Sequence, residues 1–313
     1  MGAPGDSPVD PDPPDAAGQV VAYPRLVLRG ISQLCFQSNE LTGLCFLAAV
    51  LVVSPLAATY LLVAAILAPG ARILLGERRE VLATGLPGLN PCLIALSLPT
   101  FFQTGWVDVR MWIVLLVCVA ATVLLVRVLL AVLPFPILAL PFLLVFWLLY
   151  ALAPHLSVAL RPEMFDSSHT ATLHPVIAVL FSLGQALFSP SVASGLLLTA
   201  GLLLSNWRHA VMAVLGAVIG TAVSAYYRHV DPTLADLGLY GFNGVLAAVA
   251  VYVFCGRLRL AILGALIASI ATPSLGLLGL PGVSAPYVFA TWFVLGLGWI
   301  ERKWFTAPGI GTR

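Results

Sequence analysis

Two glutamines, Gln33 and Gln185, stand inside apolar stretches of a 313-residue chain, each three residues before a phenylalanine and ten before a glycine. A neutral amide in that setting can only exchange hydrogen bonds, and burying it without a partner costs roughly 2 kcal/mol or more. The carboxylates are Asp6, Asp10, Asp12, Asp15, Glu40, Glu77, Glu80, Asp108, Glu163, Asp166, Asp231, Asp236 and Glu301, and none falls in the middle of an apolar run. Ion-coupled transporters place ionisable groups at the membrane midplane, so this pattern points to passive movement of a neutral solute. The five histidines show no metal-ligand spacing and the five cysteines contain no CxxC pair. No nucleophile–base pair or metal cluster is visible, so we expect no catalytic residue, no metal, no cofactor and no enzyme.

The elements that hold these amides must be membrane helices. Apolar residues make up 60% of the chain and charged residues 9%, with a mean hydropathy of +1.03. A soluble domain averages about 25% charge, too much for this chain to match, and one bilayer span takes about 20 apolar residues. The basic residues form no cluster, which argues against nucleic acid.

Residues 1–24, rich in Pro, Asp, Gly and Ala, read as a disordered cytoplasmic tail. A first membrane repeat follows over 25–153, then a polar linker over 154–175, a second repeat over 176–303 and a short cytoplasmic tail over 304–313. Each repeat reads as a lead-in, at Leu26–Phe36 and Val176–Phe188, followed by five apolar runs. These start at Thr42, Pro55, Thr84, Trp106 and Val132, and at Ser194, Trp207, Gly238, Leu258 and Val283. Five spans per half with the N-terminus inside leave only Arg110, Arg161 and Arg228 of the 15 basic residues outside, as the positive-inside rule requires. Both termini are then cytoplasmic, and an odd count makes the repeats inverted.

Three motif pairs carry the duplication. Gln33-Leu34-Cys35-Phe36 with Gly43 matches Gln185-Ala186-Leu187-Phe188 with Gly195. Gly85-Leu86-Pro87-Gly88-Leu89-Asn90 with Leu93 matches Gly238-Leu239-Tyr240-Gly241-Phe242-Asn243 with Leu246. Pro141-Phe142 with Trp147 matches Pro286-Tyr287 with Trp292. Helix breaks at matching positions of inverted halves mark a central site, because broken backbone is tolerated only where it is buried in protein or lines a cavity.

These strings, above all Gly238-Leu239-Tyr240-Gly241-Phe242-Asn243-Gly244-Val245-Leu246, together with Arg29-Gly30-Ile31-Ser32-Gln33 and Ser284-Ala285-Pro286-Tyr287, resemble the urea transporter family and its bacterial members. The resemblance covers about Arg25 to Lys303. It implies an all-α polytopic membrane protein with two inverted repeats, each of about five transmembrane helices plus a short half-helix. It further implies a homotrimer in the plasma (inner) membrane, in contact with the lipid bilayer, with a central pore for urea through each protomer. Carried over by position, Gln33 and Gln185 would accept urea N–H bonds. Phe36 with Leu93, and Phe188 with Phe242 and Leu246, would form flat walls. Leu89 stands where the second half has Phe242, and Pro91 where it has Gly244. Ala139 and Ser284 occupy positions where the family has Thr. The departures leave open a pore for another small neutral solute, such as a short amide, ammonia or water. They also make the second-half slot the tighter of the two.

Overall fold

The computed structural model describes residues 22–161, 174–226, 232–275 and 281–304, so the expected tail over 1–24 and C-terminal tail over 304–313 fall almost wholly outside it, as does most of the linker. Described residues form helices α1 (Tyr23–Ser32), α2 (Glu40–Leu51), α3 (Pro55–Leu74), α4 (Arg79–Ala83), α5 (Leu89–Phe101), α6 (Val109–Val132) and α7 (Leu140–Leu152) in the first half. The second half repeats the order as α8 (Pro175–Gln185), α9 (Val192–Ser205), α10 (Trp207–Tyr226), α11 (Pro232–Asp236), α12 (Phe242–Cys255), α13 (Leu258–Leu275) and α14 (Ala285–Trp304). This is the all-α membrane architecture that the sequence predicts.

Local chemistry starts these helices where they start. Asn39 caps α2 by accepting from the Thr42 N–H at 3.0 Å, Ser54 caps α3 through Ala57 at 3.2 Å, and Ser191 caps α9 through Ser194 at 3.0 Å. Pro55 then opens α3 at a position where its missing N–H leaves nothing unpaired. One expected start shifts. The apolar run from Val132 gives a helix only from Leu140, because Pro134 and Pro136 cannot donate to a helix ladder and hold residues 133–139 outside one. Hydropathy alone does not see that interruption.

Three of these helices, α3, α6 and α10, are long and apolar enough to cross a bilayer alone, and α1 with α2 forms a further candidate bent by 70°. By contrast α5 and α7 have 13 residues each and α12 has 14. Such helices rise about 20 Å against a hydrocarbon core of about 30 Å. They therefore begin or end inside the membrane, where free helix-end N–H groups have no water to bond.

Asn90 and Asn243 answer that need. Asn90 donates from Nδ2 to the Leu138 carbonyl at 3.1 Å and accepts the Phe142 N–H on Oδ1 at 2.9 Å. Asn243 does the same with Val283 at 3.0 Å and Tyr287 at 3.3 Å. The asparagine of each α5-type helix thus stitches the start of each α7-type helix, and the second and third sequence motifs form one structural unit.

Glycines bring the first motif onto the same unit. A methyl on Gly43 would lie 2.1 Å from the Leu28 carbonyl oxygen, and one on Gly195 would lie 2.1 Å from that of Leu180. No side chain fits there, so the ten-residue spacing from glutamine to glycine is a packing requirement. Between the halves, α2 packs on α9, where Thr42 donates its hydroxyl to the Gly201 carbonyl at 2.7 Å.

The outer surface is apolar. Along α6, Val109, Ile113, Val117, Leu124 and Val128 are all exposed, while Leu115, Val119 and Val123 turn inward. An exposed apolar face on a helix that itself spans is a lipid-facing surface. The protein is an integral multi-pass membrane protein.

Candidate functional site

Phe36 and Phe188 are held in a backbone conformation that side chains of their size avoid. Their φ angles are +59° and +54°, in the left-handed region that costs an L-residue roughly 1–2 kcal/mol. The surroundings enforce it identically in both halves. The Phe36 N–H donates to the Gln33 carbonyl and the Phe188 N–H to that of Gln185, both at 2.9 Å. The next N–H then bonds back, Gln37 to Ser32 at 3.2 Å and Ser189 to Gly184 at 3.1 Å. Each turn leaves its phenylalanine half-buried, projecting from the end of α1 or α8.

The rings facing them come from the opposite half. Phe36 meets Phe254 edge-on at 6.4 Å between centroids and Tyr287 at 6.3 Å. Phe188 meets Phe101 at 6.5 Å and Phe142 at 6.3 Å, again edge-on. Phe101 is the repeat counterpart of Phe254, and Phe142 of Tyr287, so the two aromatic clusters are one arrangement made twice with the halves exchanged. Sequence reading missed these four residues as the ring partners of Phe36 and Phe188. The signal was present, since Phe142 and Tyr287 follow the motif prolines and Phe101 and Phe254 share the 153-residue offset of Asn90 and Asn243.

The remaining expected residues take up distinct places. Gln33, Phe36 and Leu89 line one cavity of about 370 Å³, together with Asn90, Leu138 and Phe254. Leu93 and Leu246 lie one turn into α5 and α12 and are buried in the core, as are Ala139 and Ser284 just ahead of α7 and α14. Phe242 opens α12 and makes no ring contact with Phe188 among the described residues. Gln185 and Phe188 are absent from the cavity that holds Gln33.

The two glutamines differ in their bonding. Gln33 donates from Nε2 to the Thr84 carbonyl at 2.7 Å and to the Ser38 hydroxyl at 2.9 Å. Both protons of the amide nitrogen are used, and Oε1 is left as an acceptor. Gln185, 8% exposed, makes no side-chain hydrogen bond to the described residues. Two acceptors thus sit beside two aromatic clusters.

Charge near the rings is paired. Among the described residues, Glu40 pairs with Arg25 and Arg29 at 2.7 and 3.0 Å, Glu77 pairs with Arg72, and Asp236 lies 3.0 Å from His174. Arg72, 3% exposed, borders the Gln33 cavity, and its partner Glu77 offsets its charge. The geometry offers flat apolar faces and isolated acceptors, and among the described residues no carboxylate lines the Gln33 cavity. It suits a planar, uncharged solute with N–H donors, and an ion would lose its hydration there with nothing to replace it.

The family model of the urea transporter matches residues 25–298. Urea transporter 1 of Rattus norvegicus is 25% identical over 250 residues, covering 74% of this chain and 63% of the relative. Urea transporter 1 of Mus musculus is 25% identical over 251 residues with the same coverage. Urea transporter 1 of Capra hircus is 27% identical over 311 residues, covering 87% and 76%. The chain therefore spans just under two thirds of the rat and mouse proteins. With the duplicated helices, the paired motifs and the match over most of its length, the chain belongs to the urea transporter family.

Proposed function

We propose that this protein moves urea passively across a membrane, through a narrow channel-like slot in each protomer. The observation that carries the reading is the pair of aromatic clusters, Phe36 with Phe254 and Tyr287, and Phe188 with Phe101 and Phe142, each beside a glutamine. Urea would lie with its flat face along the rings and give its N–H groups to Gln33 Oε1 and Gln185. A hydrogen bond recovered in this way offsets most of what the solute loses on leaving water. The clusters, related by the repeat, would be passed in series.

Finer points of the proposal rest on the same features. The apolar outer faces support contact with lipid and leave room for a homotrimer. The distribution of Arg and Lys supports cytoplasmic termini in an inner membrane, with membrane repeats over 25–153 and 176–303. The test is stopped-flow urea flux in proteoliposomes, with acetamide and water beside it and with proton and sodium gradients imposed. Rapid urea equilibration indifferent to either gradient is the expected result. Accumulation of urea above equilibrium would overturn the passive mechanism, and acetamide or water flux without urea flux would overturn the substrate.

A further inference from the structure

Gln37 is 2% exposed and follows directly on the strained Phe36. Its amide nitrogen donates back to the Cys35 carbonyl at 2.6 Å, so its Oε1 faces away from the turn. There His209, at the start of α10 in the other half, places Nδ1 at 3.0 Å. Because Oε1 can only accept, the imidazole must be the donor, with the proton on Nδ1. The His209 ring is itself set edge-on to Tyr252 of α12 at 5.9 Å, two residues before the Phe254 that faces Phe36. One donor therefore ties the Phe36 turn to the helix carrying its wall partner.

This clasp has no counterpart in the second slot. Gln37 corresponds to Ser189, whose hydroxyl makes the same backward bond, to the Leu187 carbonyl at 3.1 Å. The third residue of α10, His209, corresponds to the third residue of α3, Ala57, which has no side-chain donor. The local turn is duplicated and the brace across the halves is not.

We infer that His209 is a positioning residue for the first slot: through Gln37 it holds Phe36 at its distance from Phe254 and Tyr287, and so sets which solutes that slot passes. The inference rests on the urea reading for its flux test. The first slot needs such a brace because Phe36 is held by a left-handed turn at the end of a short helix, and Leu89, which lines the same cavity, is a side chain that can change rotamer. A wall free to move would admit a bulkier planar solute.

The experiment compares His209→Leu, His209→Asn and His209→Gln in proteoliposomes. Asparagine places its amide nitrogen where Nδ1 stood and should keep the bond. Leucine removes the donor, and glutamine carries it beyond Gln37. The flux ratio of N-methylurea to urea should rise about threefold to fivefold in His209→Leu and His209→Gln, the effect of losing one hydrogen bond, and stay at the wild-type value in His209→Asn. A wild-type ratio in the leucine and glutamine variants overturns the inference. Should His209→Leu fail to fold, the glutamine and asparagine pair decides by itself. If wild-type protein passes no urea, the functional reading fails and the clasp is judged by alkylation of the buried Cys35 thiol, followed on its peptide by mass spectrometry. Faster alkylation in His209→Gln than in wild type and His209→Asn supports the clasp, and equal rates in all three overturn it.

Discussion

The indole N–H of Trp147 donates to the carbonyl of Pro281 at 2.9 Å, joining the first half to the second. The same bond recurs with the halves exchanged, from Trp292 to Pro136 at 2.7 Å. Such reciprocity is what a two-fold relation between two copies requires. Each tryptophan sits six residues after a motif proline, and its bond lands on a proline carbonyl near the turn that precedes the other half's α7-type helix. The halves are thus tied together just ahead of α7 and α14.

Trp147→Phe and Trp292→Phe should each lower stability by about 1–2 kcal/mol, the value of a part-buried hydrogen bond plus some lost packing. The double variant should lose close to the sum, since the two bonds share no partner. Unfolding in detergent, followed by denaturant titration, checks both numbers. A double variant no worse than either single one would show that the halves are not locked by these bonds.

Glycine positions should separate by their surroundings. Gly43→Ala and Gly195→Ala drive a methyl to within 2.1 Å of a backbone oxygen and should abolish folded expression. Gly296→Ala, in a helix with nothing within 4 Å of the added methyl, should be neutral or stabilise by about 0.5–1 kcal/mol. Yield of monodisperse protein on size exclusion tells the two classes apart.

The glutamines should separate likewise. Gln185→Ala should cut urea flux severalfold while leaving the unfolding free energy within about 0.5 kcal/mol of wild type, because Gln185 makes no side-chain hydrogen bond to the described residues. Gln33→Ala should cut flux and also cost about 1–2 kcal/mol, because it removes bonds to Thr84 and Ser38. Unchanged flux in the stable Gln185→Ala protein would remove its acceptor role.

Selectivity should follow ring contacts. Phe142→Leu replaces a rigid face 6.3 Å from Phe188 with a narrower side chain that changes rotamer. It should raise the flux of N-methylurea relative to urea more than Phe242→Leu does, since Phe242 has no ring contact with Phe188. The larger ratio in Phe242→Leu would return the wall to the residues expected from the family pattern.

Composition, the paired motifs and the scatter of Arg and Lys already decided that this chain is a duplicated, helical, membrane-embedded protein with paired breaks. Those properties are local or periodic: hydropathy, helix caps such as Ser54 before Pro55, and repeat spacing can be read one segment at a time. Gln33, Phe36 and Leu89 were legible as a group because Gln33 and Phe36 share one turn and Leu89 stands in the matching motif. Which rings face Phe36 and Phe188 was decided only by tertiary structure. The partners Tyr287 and Phe142 lie far along the chain, and only packing of one half on the other brings them within 6.3 Å. Motif order within each half pointed Phe188 at Phe242 and Leu246, while its ring contacts are made with Phe101 and Phe142 of the other half. The bond from His209 to Gln37 was hidden for the same reason, with the further difficulty that it breaks the repeat that made everything else readable.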